Sequence, residues 1–152
     1  MSNHKHAEYY TWLHRHSTIN RQRGRERSYA FANDKAAWAA LKKERAITKF
    51  ENMPVNVFEK MLKLKDHILK QDPFAEIKLT GSWYKGSWVL EETDEKIFAL
   101  RKRVTGKRGL SDFDIVIKSC RRFASEELSN EINAVVQVWN VDFEKTKGIL
   151  IK

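Results

Sequence analysis

Two carboxylates set two residues apart, inside a run of alternating apolar residues, constrain this chain more than any other feature. Ser111-Asp112-Phe113-Asp114-Ile115-Val116-Ile117 reads as a strand. Side chains alternate along a strand, so Asp112 and Asp114 share one face while Phe113, Ile115 and Ile117 share the other. Like charges this close are costly unless a cation sits between them. Magnesium takes hard oxygen ligands and is commonly held by one or two carboxylates plus substrate phosphates. Upstream, Leu79-Thr80-Gly81-Ser82-Trp83-Tyr84-Lys85-Gly86-Ser87 reads as the end of a strand, a glycine turn and the start of a helix. Such a turn exposes backbone N–H groups where a phosphate can sit. Gly81 permits close backbone approach, and the Ser82 hydroxyl can bond a phosphate oxygen. Taken alone, Gly81-Ser82 is equally a plain turn with a serine helix cap, and Trp83 and Trp88 are residues that pack a helix onto a sheet.

Together these residues resemble a known pattern. Gly81-Ser82, then Lys85-Gly86, then Ser111-Asp112-Phe113-Asp114 is similar to the signature of the nucleotidyltransferase superfamily typified by DNA polymerase beta, which includes the small minimal nucleotidyltransferases of bacteria and their phages. The resemblance covers roughly residues 73–152. It implies an α+β fold, a small mixed β-sheet backed by helices. It also implies Asp-x-Asp on the strand after the Gly-Ser turn and a third carboxylate on a later strand, the place of Asp142 in Val141-Asp142-Phe143. By that resemblance Asp112, Asp114 and Asp142 are the catalytic and magnesium-holding residues. Gly81, Ser82, Lys85 and Ser87 bind a nucleoside triphosphate, and NMP passes to an acceptor by a two-metal mechanism. Residues 89–110 depart from the family, whose link between the two motifs is much shorter. Ile97 to Leu100, Arg101-Lys102-Arg103 and the turn-like Thr105 to Gly109 predict an extra strand or hairpin. Its Arg101, Arg103, Lys107 and Arg108 can meet a triphosphate or a nucleic-acid backbone, or form a solvated charged hairpin.

The 152 residues fit one domain with a real core. No apolar run approaches the roughly 20 residues needed to span a membrane, the N-terminus lacks a secretory h-region, and the lone Cys120 suits a reducing compartment. A cytoplasmic protein without membrane contact is expected, with association with a virion as the alternative. Charge divides the chain. Residues 1–50 hold 11 Lys/Arg against 4 Asp/Glu, and residues 51–152 hold 18 against 16. The front is therefore a basic, partly helical extension (an arm and helix, residues 1–50) attached to a nearly neutral domain (residues 51–152). Arg15, Arg21, Arg23, Arg25 and Arg27 interleave with Tyr9, Tyr10, Trp12, Tyr29 and Phe31. That mixture suits nucleic acid, or docking on an acidic protein surface. His4-x-His6 and His14-x-His16 lack helical metal spacing and read as tail.

Along the rest of the chain, Asn33-Asp34 predicts an N-cap for a helix over 35–49. A second helix follows Pro54, with Phe58, Met61, Leu62, Ile68 and Leu69 on its apolar face and Asn56 and Glu59 as a capping box. Ala75 to Thr80 is a strand. Ser125 predicts the cap of a helix with Glu126 and Glu127 in its first turn and Leu128, Ile132, Val135, Val136 and Trp139 on its apolar face, and Val141 to Phe143 and Ile149 to Ile151 predict strands. Two other classes compete with an enzyme: a non-catalytic nucleic-acid-binding or scaffold protein that keeps the fold, and a structural component of a larger assembly docked through residues 1–50.

Overall fold

The computed structural model describes the backbone of residues 2–91 and 94–152, and the side chains of these except residues 2–7, 13 and 15–20. The side chains of His4, His6, Arg15 and His16, and residues 92 and 93 of the insertion, thus lie outside the described residues. The chain is α+β. Helix α1 (Ser2–Arg45) is followed by a 3-10 turn at Phe50–Asn52, α2 (Val55–Gln71), β1 (Glu76–Thr80), the single-turn α3 (Ser82–Lys85), α4 (Glu95–Thr105), β2 (Phe113–Lys118), α5 (Ser125–Ile132), β3 (Val136–Val138) and β4 (Ile149–Leu150). The sheet order is β3-β2-β1-β4. β1 is antiparallel to both β2 and β4, and β2 is parallel to β3, so the sheet is small and mixed. Among the described residues no helix is long and apolar enough to cross a membrane.

One face of the sheet carries the core. Ile77 and Leu79 of β1, Phe113 and Ile115 of β2, Val136 of β3 and Ile149 of β4 are buried against α2 and α5. α2 turns Val57, Met61, Leu64 and Ile68 inward, the i, i+4, i+7, i+11 stripe of an amphipathic helix. Phe58 and Leu62 flank this stripe, packed against the core. Its start differs from the expected capping box: Pro54 holds the N-cap position, and Asn56 Oδ1 accepts from the adjacent Val57 N–H. Ile47 and Phe50 belong to the same core, so the basic extension is rooted in the domain.

Four elements differ from the sequence reading. No helix begins at Asn33-Asp34: α1 runs through them without a break. Asp34 turns sideways instead and pairs with Arg103 of α4 at 3.0 Å. The insertion is a helix, α4, where a strand or hairpin was expected. The helix from Ser125 stops at Ile132 because Asn133 adopts φ 52°, a left-handed stop, and Val136–Val138 continues as a strand. Val141-Asp142-Phe143 is a turn, with Asp142 Oδ1 accepting from the N–H groups of Glu144 (3.0 Å) and Lys145 (3.3 Å).

α2 is tied to the far end of β2 through Asp72. This nearly buried carboxylate accepts from Ser119 Oγ at 2.6 Å, Phe74 N–H at 3.1 Å and Cys120 N–H at 3.3 Å. The bond from Ser119, then that from Phe74, hold its pKa below the usual carboxylate value. Glu127 is lowered likewise, first by His67 and then by Gln71. A depressed folded pKa adds stability that is present above the unfolded value and lost as pH falls through the folded one. The urea midpoint is therefore expected to be flat near neutrality and to decline below about pH 4. Asp72→Asn should lower the midpoint at pH 7 and flatten that decline. A variant with the wild-type acid slope would remove Asp72 as its source.

Candidate functional site

Gly81 leaves β1 at φ 70°, a conformation that L side chains rarely adopt, and any Cβ there would collide with the Asp114 carboxylate. The glycine turn and the second aspartate are thus packed directly against each other across the β1–β2 pair, where Thr80 faces Asp114 in register. Thr80 Oγ1 donates to the Asp114 carbonyl at 3.3 Å. The first-turn N–H groups of α3 have no helical acceptor, as at any helix start.

Trp83 fixes the other aspartate. Its ring, fully buried, lies parallel to Trp88 (5.0 Å between centroids) and to Phe113 (5.4 Å). Its Nε1 donates to the Asp112 carbonyl at 3.0 Å. The tryptophans pack α3 onto the sheet, and Trp83 also sets the backbone that carries Asp112. Trp88 in turn reaches α1: its Nε1 donates to the Arg45 carbonyl, and the Arg45 guanidinium lies 3.7 Å from its ring centre.

The insertion closes at a neck. Ser111 N–H donates to the Val89 carbonyl (2.9 Å) and Val89 N–H to Ser111 Oγ (2.8 Å). α4 and its 106–109 turn stand beside the carboxylates, forming a cleft of about 470 Å³. Gly81, Ser82, Lys85, Ser87, Asp112 and Asp114 all line it, and so do Arg101, Lys107 and Arg108. A second cleft of about 520 Å³ shares Gly81, Lys85 and Asp114 but is walled by Tyr84, Val116, Trp139 and Val141. Trp139 Nε1 donates to Asp114 Oδ1 at 2.8 Å.

Six of the seven residues expected from the sequence therefore line one cleft. Asp142 does not join them: it lies in the turn after β3, its carboxylate engaged by backbone N–H groups. Among the described residues no group of three His, Cys, Asp or Glu side chains is placed to hold a metal. The residue in register with Asp114 on β3 is Gln137, and neighbours in register share a face. The donor set, two carboxylates beside a phosphate-sized turn, fits one magnesium ion that takes its other ligands from substrate phosphates and water. It does not supply a protein cage for two. Tyr84 and Trp139 were missed as site residues. Trp139 falls at helical spacing from Leu128 and Ile132, and that coincidence hid a strand end facing Asp114. Compared with protein-family models, curated proteins and solved structures, the chain gives no significant match to any of them.

Proposed function

We propose that the chain is a magnesium-dependent nucleotidyltransferase with a nucleotidyltransferase-like fold, passing NMP from a nucleoside triphosphate to an acceptor hydroxyl and releasing pyrophosphate. One observation carries this reading: the Gly81-Ser82 turn, Lys85 and Ser87 line the same cleft as Asp112 and Asp114, with Gly81 against Asp114. Phosphoryl transfer needs charge neutralisation and in-line alignment more than covalent help. The turn N–H groups, Ser82 and Lys85 bind phosphate oxygens. Asp112 and Asp114 would hold the magnesium ion, which supplies charge neutralisation and orientation of the phosphates when bound. The aromatic cleft, with Tyr84 and Trp139, adjoins the same aspartate and offers faces for a base to stack on. The acceptor oxygen attacks the α-phosphorus, the bond to the pyrophosphate oxygen breaks, and the hydroxyl proton leaves to solvent. Asp142 was expected to complete a two-ion site; it lies in the turn after β3, and Gln137 stands opposite Asp114. The test is labelling of an acceptor (the protein itself, a partner or an RNA end) by radiolabelled nucleoside triphosphate in the presence of magnesium. No magnesium-dependent nucleotide binding at millimolar concentration would sink it.

A second reading, a non-catalytic nucleic-acid-binding or scaffold protein of the same fold, is favoured by α1. Every residue from Arg21 to Asn33 is exposed, and Tyr9, Tyr10, Tyr29 and Phe31 are exposed aromatics. Arg21 and Arg25 lie on one side of the helix and Arg23 and Arg27 on nearly the opposite side, at 100° per residue. A polyanion can therefore approach from either side. Affinity of the full chain for single-stranded RNA is expected to fall steeply with salt, through counterion release. Removal of residues 1–33 should cut both the affinity and the salt slope. Unchanged binding and slope would take α1 out of nucleic-acid contact.

A further inference from the structure

Among the described residues, Arg101 is a buried charge that no ion pair accounts for. It projects from α4 and is only 3% exposed, yet among the described residues it has no carboxylate partner. Its Nη2 donates to the Gly109 carbonyl, and its Nε, also buried, has no hydrogen-bond partner. Burial pulls its pKa down. Arginine nevertheless stays charged near neutrality. A buried cation without a counter-ion is destabilising, and the position is informative because Arg101 lines the cleft that holds the two aspartates.

Its hydrogen bond to Gly109 also braces the 106–109 turn, which presents exposed Lys107 and Arg108 to the same cleft. The turn leaves α4 through Gly106 at φ 77°. Asp34 of α1 pairs with Arg103 of α4, so α4 is also tied to α1. Four cations (Lys85, Arg101, Lys107, Arg108) and two carboxylates (Asp112, Asp114) line the cleft, a formal balance of +2. A nucleoside triphosphate with one magnesium ion carries roughly −2. The cleft thus brings these cations and the two carboxylates to one site, where the metal-bound part of a polyphosphate would meet the carboxylates and the rest the cations.

We propose that the inserted α4 and its turn form a polyphosphate subsite, in which Arg101 is the buried anchor and Lys107 and Arg108 grip the terminal phosphates that leave as pyrophosphate. The identity of the ligand as a nucleoside triphosphate rests on the function proposed above; the subsite itself does not need the metal. The exposed Arg108 guanidinium can meet phosphate oxygens as a fork, which a lysine contacts only as a point charge.

The experiment is calorimetric titration of the full chain with inorganic tripolyphosphate in EDTA. Wild type should bind. Arg101→Lys and the double variant Lys107→Ala, Arg108→Ala should each bind about 10- to 100-fold more weakly, the range of charge-assisted contacts. Asp112→Asn with Asp114→Asn should bind at least as tightly as wild type, since two repelling carboxylates are removed. Should Arg101→Lys fail to fold, the exposed Lys107 and Arg108 pair still decides the matter. No metal-free binding by wild type, or unaltered binding by that pair variant, would overturn the subsite. Displacement of tripolyphosphate by a single-stranded oligonucleotide at lower phosphate concentration would overturn it too, by assigning these cations to a nucleic-acid backbone. Metal-free binding with the expected variant pattern, but no magnesium-dependent transfer, would sink the enzyme reading and leave the subsite standing.

Discussion

Asp112→Asn combined with Asp114→Asn is expected to abolish magnesium-dependent nucleotide labelling while leaving the fold intact. Asparagine keeps the shape and the carbonyl acceptor that Trp139 Nε1 requires at position 114, but removes the charge that would hold the ion. Removal of metal ligands takes several kcal/mol from transition-state stabilisation, so the rate should fall on the order of 10³-fold or more. The packing beneath is apolar and separate: Phe113 and Ile115 point to the opposite face, so the urea midpoint should move little. Labelling within tenfold of wild type by the double variant would move the chemistry away from these aspartates and toward the nucleic-acid-binding alternative.

The second large effect is expected at Gly86. It sits at φ 88°, and a Cβ there would run into the Lys42 carbonyl of α1 and approach Ala46 N–H to 2.8 Å. Both are backbone atoms and cannot rotate aside. Gly86→Ala therefore strains its own turn by about 1–2 kcal/mol and pushes α1 off α3, with its Ile47 N–H to Trp83 carbonyl bond and its Arg45–Trp88 contacts. A total of about 3–4 kcal/mol is expected, read from urea unfolding and from faster hydrogen exchange over residues 38–47. Gly24, in the exposed part of α1, makes the control, because a Cβ added there would meet nothing within 4 Å. Gly24→Ala should raise local helicity and leave the domain's midpoint unchanged. Equal behaviour of the two variants would show that α1 does not seat on Gly86 in solution.

What the sequence revealed and what it concealed divides along the reach of the forces involved. α2 was legible because four or five turns of apolar periodicity leave little choice. The β1–turn–β2 arrangement was legible because glycine and alternating residues act locally. Asp34 reads as a helix start because its local chemistry suits a cap. The ion pair with Arg103, 69 residues away, gives that carboxylate a different partner inside a continuous helix. The short apolar run Ile97 to Leu100 is compatible with either a strand or a helix, and packing of α4 beside α1 accompanies the helical outcome. Val135 to Trp139 imitates a helical stripe. The one local signal against it was Asn133, a residue that tolerates the left-handed stop. Asp142 reads as a strand residue because apolar neighbours flank it, whereas Thr146, whose Oγ1 donates to the Asp142 carbonyl at 2.6 Å, marks the turn. Around the candidate cleft, the glycine turn and the Asp112 and Asp114 pair were legible as local motifs, whereas Tyr84 beside that turn and Trp139, delivered by tertiary packing, were not.

α1 is also a measuring rod. A helix rises about 1.5 Å per residue, so Tyr9 stands roughly 40 Å along the axis from Asp34, where the helix meets the domain. A grip by Tyr9 or Tyr10 is therefore separated along α1 from the Asp34–Arg103 contact by more than the width of the sheet. A duplex touching both places must extend at least about 12 base pairs at about 3.4 Å each. Shorter duplexes can engage one end at a time, and binding strength plotted against duplex length should show a step at that span.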